Sequence, residues 1–418
     1  MRNENTKELV KLRNLIQASQ ILNSTLDLRE LLRIILDIAI NSCNARRGTI
    51  YIVNDAKREI WSEVLHGESK IEIRLPFGKG IAGKVAVTGQ TVNVEDVSEL
   101  QDFNDEIDKL TGFKTKSMLC MPLMNNSNKI IGVFQLLNSK FSKFTGDDED
   151  FLKALSSHAS IAFENVKLHQ KILMQQIFEN EMQIASEIQR KLLPKENPNL
   201  PGYSISGINI PSKYVSGDYF DFIDDSDGNL ICIVADVAGK GVAAALLVSI
   251  IQAWIHALIE TKIDIQEMTS RLNEIIYRET SPNIYITFFI GKLCVEEKLF
   301  SYVNAGHNPG YYINDGKNIY HLNKGGLPLG MFSSAKYEKE TIKINDGETI
   351  VLYSDGIPEA VNIEEEFYSE DKFVDSILNN LQINSEALSK NIINEVQNFV
   401  AGNEQSDDWT LVVLKKES

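Results

Sequence analysis

The chain has 418 residues, too many for one ordinary core, so two or three domains are expected. Hydrophobic residues make up 43% and charged residues 24%, a globular balance with no tract of disorder-like composition. A formal net charge of -16 argues against general affinity for nucleic acid, whose phosphates would be repelled. No apolar run approaches the roughly 18 to 20 residues of a membrane span, and the start, M-R-N-E-N-T-K-E, lacks the apolar core of a signal peptide. A cytoplasmic protein without a membrane partner is expected. Cys43, Cys120, Cys232 and Cys294 are widely separated in apolar segments, which fits reduced core thiols and no zinc-ligand spacing.

Residues 1–26 read as an N-terminal helix, because Leu9, Leu12, Ile16 and Ile21 recur at roughly helical spacing. A second amphipathic helix follows, with Leu31, Leu32, Ile35, Ile38 and Ala39. Strands are expected over Gly48–Asn54, Glu59–Leu65 and Ile71–Leu75, then a glycine turn, a short helix near Ala82–Thr88 and another strand. Ser117–Met124 and Lys129–Leu137 read as strands. A long helix starts near Asp147, where Asp147, Asp148 and Glu149 suit the positive end of its dipole.

Residues 27–164 resemble a GAF domain, a sensory fold with an antiparallel sheet flanked by helices. The resemblance rests on G-K-G-I-A-G-K-V-A-V-T-G-Q from Gly78, M-P-L-M from Met121 and F-T-G-D-D-E-D from Phe144. It implies a small-molecule or protein signal. Members that bind cyclic nucleotides pair Asn-Lys with a later Phe and Asp-Glu; Phe144, Asp148 and Glu149 match, whereas Asn138 is followed by Ser139, with Lys140 one place late. The ligand class stays open, a cyclic nucleotide being one candidate. Trp61, His66 and Phe113 are candidate pocket residues, with ordinary core or rim positions as the alternative.

A connector over residues 150–197, overlapping the last GAF helix, has no Pro or Gly from Leu155 to Leu193. Leu155, Ala159, Ala162, Val166, Leu173, Ile177, Ile184 and Ile188 fall in steps of three, four or seven, close to a coiled-coil seam. A parallel homodimer is expected, against the alternative of a solvated interdomain helix. Pro194, Pro198 and Pro201 end the helix, and residues 198–418 form the last domain.

There, strands are expected over Tyr203–Ile210, Tyr219–Ile223, Leu230–Asp236, Ile284–Leu293, Leu299–Asn304, Gly310–Ile313, Thr349–Ser354 and Trp409–Leu414. Helices are expected over Val242–Ile259, Ile265–Arg278, Lys372–Leu381 and Ser385–Val400. The pattern is an α+β sandwich with helices on the outer faces. Asp236 ends an apolar strand before a glycine turn, a place where an Asp often only caps the next helix. Asp218, Asp355, Asp407 and Asp408 also sit at strand ends or turns. Clustered carboxylates repel, and a hard divalent cation removes that cost. With no Ser-His-Asp order, Cys nucleophile or phosphate-binding G-x-x-x-x-G-K-[ST] motif, a two-metal hydrolytic site is the inference.

The same segment resembles the SpoIIE or RsbU branch of the PPM serine/threonine phosphatases, through S-G-D-Y-F-D, A-D-V-A-G-K-G-V-A-A-A, N-A-G-H-N-P, G-G-L-P-L-G-M, Y-S-D-G-I-P-E-A and D-D-W-T. The resemblance implies a PPM-type α-β-β-α sandwich and two Mn²⁺ or Mg²⁺ ions. Asp236 would bridge both ions, Asp355 and Asp407 would complete one shell, and Asp218 with the backbone carbonyl of Val237 would hold the other. Asp221 and Asp408 are candidates for an outer shell. Ser216 stands where members often have Gly. His307 reads as structural before catalytic, and Lys240 as solvated before phosphate-attracting.

The implied substrate is a phosphorylated STAS-type anti-sigma-factor antagonist of bacterial partner switching, with the GAF domain regulating the phosphatase. Two other functions stay open: a GAF-controlled docking protein with weak or no phosphatase activity, and a metal-dependent hydrolase of small phosphoesters.

Overall fold

Leu31, Leu32, Ile35, Leu36 and Ala39 close onto one stripe, and the helix they form, α1 (Leu28–Ser42), begins where the Asp27 carboxylate accepts the Glu30 N–H at 2.8 Å. In the computed structural model, residues 27–65, 72–100, 103, 106–225, 227–281 and 284–417 are described. The expected N-terminal helix and His66 lie outside them. The chain divides into two compact units, Met1–Ile177 and Phe178–Ser418.

The first unit is built on β1 (Ala45–Asn54), β2 (Glu59–Leu65), β3 (Arg74–Pro76), β4 (Val92–Val94), β5 (Met118–Met124) and β6 (Ile130–Ser139). They form one antiparallel sheet in the order β3-β2-β1-β6-β5-β4. Alternation along β1 divides its side chains between two cores. Ile50 and Ile52 meet α1 and the start of the long helix, whereas Tyr51 meets α2 (Gly80–Thr88). A short α3 (Glu106–Thr111) precedes β5.

The GAF-like signature residues act as braces. Asn138, in the left-handed region at φ 57°, accepts the N–H groups of Lys116 (2.6 Å) and Ser117 (3.2 Å) and donates to Lys114 O (2.8 Å). Asp148 accepts the Thr145 N–H at 2.9 Å and its hydroxyl at 2.8 Å. Asn93 donates to Glu149 at 2.6 Å and to Phe144 O at 3.2 Å. The guanidinium groups of Arg74 and Arg47 cover Trp61 and Phe113, respectively. Neither ring lines the roughly 600 Å³ cavity that Val53, Asn125, Ile131, Phe163, Glu164 and Lys167 surround.

The long helix α4 (Gly146–Arg190) runs 45 residues without a break, as the absence of Pro and Gly predicts. After it come β7 (Tyr203–Ile210), β8 (Asp218–Asp224), β9 (Leu230–Val237), α5 (Val242–Ile259) and α6 (Ile265–Glu279). The rest is β10 (Ile286–Cys294), β11 (Leu299–Ala305), β12 (Gly310–Ile313), β13 (Ile319–Leu322), β14 (Gly325–Gly326), β15 (Glu340–Lys343), β16 (Thr349–Tyr353), α7 (Glu370–Asn380), α8 (Ser385–Val400) and β17 (Trp409–Lys416). One sheet is ordered β14-β11-β10-β9-β8 with β15 on β11, the other β13-β12-β16-β17-β7.

Phe220, Cys232 and Val234 of the first sheet meet Leu352, Val412 and Leu414 of the second in a central core. The alternate residues Tyr219, Ile233 and Ala235 face α5 and α6, and Val351, Leu411 and Val413 face α7 and α8. The layers are therefore the expected α-β-β-α sandwich. The expectation about apolar runs needs correction: α5 is 18 residues with a mean hydropathy of 2.1, long and apolar enough by composition to cross a membrane. Its Ser249, Gln252 and His256 interrupt the run to the eye without lowering the average enough. In the fold, Ala244, Val248, Ile251, Ile255 and Leu258 are buried against the sheet, so α5 is one side of a core.

Candidate functional site

Asp218 opens β8 and Asp236 lies one residue before the end of β9, and the antiparallel register sets them directly opposite each other. Like charges in that position repel. Asp218 is 3% exposed and accepts the Thr410 hydroxyl at 2.6 Å. Burial first, then the charge of Asp236, holds its carboxyl well above the usual carboxylate range. Asp236 is pushed up to about 7 by burial and by Asp355 and Asp407.

Asp355 follows β16, and burial together with Asp407 raises its pKa. The Y-S-D-G turn can approach the S-D-D-W turn because residue 356 is Gly: a Cβ there would lie 2.1 Å from Asp408 O. Asp407 carries the one counter-ion of the cluster among the described ion pairs, Lys240 Nζ at 2.7 Å from Oδ2. Val237 donates its N–H to Gly217 O at 3.2 Å, so its backbone runs beside the Gly217–Asp218 turn.

The two outer-shell candidates are placed differently. Asp408 is buried beside the cluster with both oxygens engaged: Oδ1 accepts the Ser212 N–H (2.6 Å) and hydroxyl (2.9 Å), and Oδ2 accepts the Gly217 N–H (2.6 Å). It fixes the loop that delivers Asp218. Asp221 is three residues from Asp218, so the two-residue period of a strand turns it to the opposite face. There it accepts the Tyr219 hydroxyl at 2.5 Å and meets His256 Nε2 of α5 at 2.8 Å. Of the two readings open for Asp221, a water-bridged outer-shell residue or a structural hydrogen bond, these contacts are of the structural kind.

His307 is buried behind the site. Its Nδ1 lies 2.8 Å from the hydroxyl of Thr287, the residue paired with Asp236 on β10, and burial lowers its pKa to about 4. Asn304 locks its loop by accepting the His307 N–H at 2.8 Å and donating to His307 O at 3.0 Å.

Three further residues stand near the site. Glu359 is raised by burial and by Asp355 and Asp407, and its place four residues after Asp355 in Y-S-D-G-I-P-E-A is a signal that could have marked it. Thr410 holds Asp218 from the other sheet. Gln189, near the end of α4, donates to Ser216 O at 2.6 Å and accepts the Ser216 N–H at 2.8 Å, while the Ser216 hydroxyl accepts the Asp218 N–H at 3.1 Å. The end of α4 is thus two hydrogen-bonded steps from Asp218.

Among the described residues, no three acidic, His or Cys side chains converge closely enough, as they stand, to form a ready-made metal cage. The donor chemistry nevertheless fits a hard cation: burial and neighbouring carboxylate charges raise Asp218, Asp236 and Asp355, around a backbone turn, and Asp407 carries a lysine.

Residues 226–417 match the family model described as Stage II sporulation protein E (SpoIIE), and residues 27–163 match the GAF domain model. Phosphoserine phosphatase RsbU of Bacillus subtilis (strain 168) is 31% identical over 272 residues, 64% of this chain and 78% of that protein. The dual 3',5'-cyclic-AMP and -GMP phosphodiesterase 11A of Takifugu rubripes is 48% identical over 107 residues, 25% of this chain but 12% of that enzyme. The solved SiaA-PP2C domain of Pseudomonas aeruginosa superposes with a TM-score of 0.52 at 18% identity, over 58% of this chain and 98% of that one, which places the fold.

Proposed function

The chain belongs to the RsbU-like SpoIIE family of protein serine/threonine phosphatases, here with a GAF domain, and from that premise we propose a metal-dependent phosphatase acting on a phosphorylated STAS-type anti-sigma-factor antagonist. The observation that carries the metal site is the cross-strand pairing of Asp218 with Asp236, within electrostatic reach of Asp355 and Asp407. Such an arrangement raises the free energy of the protein without a cation and lowers it with one.

Asp236, Asp218, the Val237 carbonyl, Asp355 and Asp407 would hold two divalent ions, Mn²⁺ or Mg²⁺. When bound, the ions supply Lewis acidity toward phosphoryl oxygens and activate water for in-line displacement. The protein's own part is orientation. Thr410 and the Ser216 hydroxyl fix Asp218, Asp408 fixes the loop before it, and Thr287 with His307 backs Asp236. In the reaction water adds to phosphorus, the bond from phosphorus to the serine or threonine oxygen breaks, and a proton from that water passes to the leaving oxygen, giving the free hydroxyl and inorganic phosphate.

The GAF domain would regulate turnover through α4, whose Gln189 brackets Ser216 beside Asp218. A homodimer is supported by apolar side chains that α4 leaves exposed at coiled-coil steps, among them Leu173, Ile177, Ile184 and Ile188, and by Leu246, Ile250 and Trp254 along α5. A docking protein without turnover is the second reading, favoured by the absence of a closed cage among the described residues.

The deciding experiment incubates the full chain with phosphoserine-bearing STAS protein and Mn²⁺. Phosphate release that is abolished by chelation and by Asp236→Asn or Asp355→Asn supports the phosphatase; release that persists in both variants removes the metal assignment. Turnover confined to small phosphoesters would reassign the substrate.

A further inference from the structure

Lys240 sits in the turn after Asp236, between Gly239 at φ 114° and Gly241 at φ 79°. A Cβ built on either glycine would have nothing within 4 Å, so the turn has open space on both sides of the lysine. The Lys240 ammonium lies 2.7 Å from Asp407 Oδ2 and donates to Ser406 O at 2.8 Å. The other Asp407 oxygen, Oδ1, accepts the Asp408 N–H at 2.9 Å. Both oxygens of this carboxylate are therefore engaged, and Oδ2 is held by a cation.

A divalent ion that coordinates Asp407 through Oδ2 meets the ammonium there, and two cations on one oxygen repel. The side chains are 55% and 40% exposed, so the pair is solvated and exchangeable rather than locked. Lysine's ammonium is a point charge with three rotatable donors, well matched to a phosphoryl oxygen, and its four-carbon stem needs no fixed geometry. The charge of Lys240 also reaches Asp355 and Glu359, so its movement changes the field across the cluster.

Building on the assignment of Asp407 as a metal ligand, we propose that Lys240 is the counter-ion of Asp407 before metal binds, that the metal displaces it, and that the released ammonium binds the substrate's dianionic phosphoryl group. Lys240 is then a phosphate-contacting residue whose resting partner is a metal ligand. Loading of this site and affinity for phosphate are linked through one side chain: removing the ammonium favours the metal and weakens the phosphate.

The experiment titrates Mn²⁺ into the full chain by calorimetry and measures inhibition by inorganic phosphate, for the wild type, Lys240→Gln, Lys240→Arg and Asp407→Asn. Lys240→Gln is expected to bind Mn²⁺ several-fold more tightly. In the same variant the phosphate inhibition constant rises about tenfold, the worth of one charge-assisted hydrogen bond, and KM for the phosphoprotein rises more than kcat falls. Lys240→Arg keeps most of the phosphate inhibition. Unchanged Mn²⁺ affinity in Lys240→Gln overturns the proposal, and so does unchanged phosphate inhibition. If Asp407→Asn leaves the Mn²⁺ isotherm as in the wild type, the ligand assignment itself has failed and the proposal falls with it; a weakened isotherm in Asp407→Asn confines any failure to Lys240.

Discussion

In the GAF domain, two acids of the Phe144–Glu149 stretch meet donors: Asp148 takes the N–H and hydroxyl of Thr145, and Glu149 takes the amide of Asn93. In the phosphatase domain, Asp218 and Asp236 face each other across two strands; burial and the charge of Asp236 raise Asp218, and burial and the charges of Asp355 and Asp407 raise Asp236. Satisfied acids hold a fold together. Acids set against one another destabilise it until a cation arrives, and that tension distinguishes a site from a brace. A milder contrast recurs within the phosphatase domain, where Asp408 and Asp407 are adjacent: the first has three backbone or hydroxyl donors, the second one backbone donor and an exchangeable lysine.

The largest expected effect is on Asp236→Asn, which should lose on the order of a thousandfold or more in Mn²⁺-dependent turnover while melting higher than the wild type in chelator. Second is Asp408→Ala, which strands the N–H groups of Ser212 and Gly217. It should destabilise the domain by about 2–4 kcal/mol in denaturant unfolding and weaken turnover by loosening Asp218. Asn138→Ala removes three hydrogen bonds at a left-handed position. It should cost about 1–3 kcal/mol in unfolding of the GAF domain, with Mn²⁺ affinity unchanged.

The smallest effect is a slope with pH. Asp236 is raised in the folded chain to about 7 from an ordinary 3.8, so the metal-free fold binds a proton that the unfolded chain releases. Its contribution is most favourable below 3.8 and is lost as pH rises through about 7. Melting temperatures in chelator should therefore fall from pH 5 to pH 7.5, and Asp236→Asn should flatten that fall.

Much of this was legible in the sequence. The apolar strand before Asp236 and the glycines after it mark a strand, turn and helix, and α5 and α8 have the expected limits. Short pieces such as β13, β14 and β15 carry too few residues for a periodic signal and exist because neighbours pair with them. Among the acids, identity was legible and orientation was not. Asp221 and Asp218 share a strand, and the alternation of faces alone separates them. Lys240 meets Asp407, and Gln189 meets Ser216, through packing between distant segments that no local spacing encodes. The apolar length of α5 is masked in the sequence by Ser249, Gln252 and His256, which break the run without lowering its average enough.

On this reading, opposed carboxylates rather than satisfied ones hold the metal. Calorimetric titration of Mn²⁺ into the full chain and into Asp236→Asn tests it most directly. Binding to the wild type should be lost or weakened at least tenfold in the variant, since removing one charged ligand costs more than about 1.4 kcal/mol. Superimposable isotherms for the two proteins would contradict it.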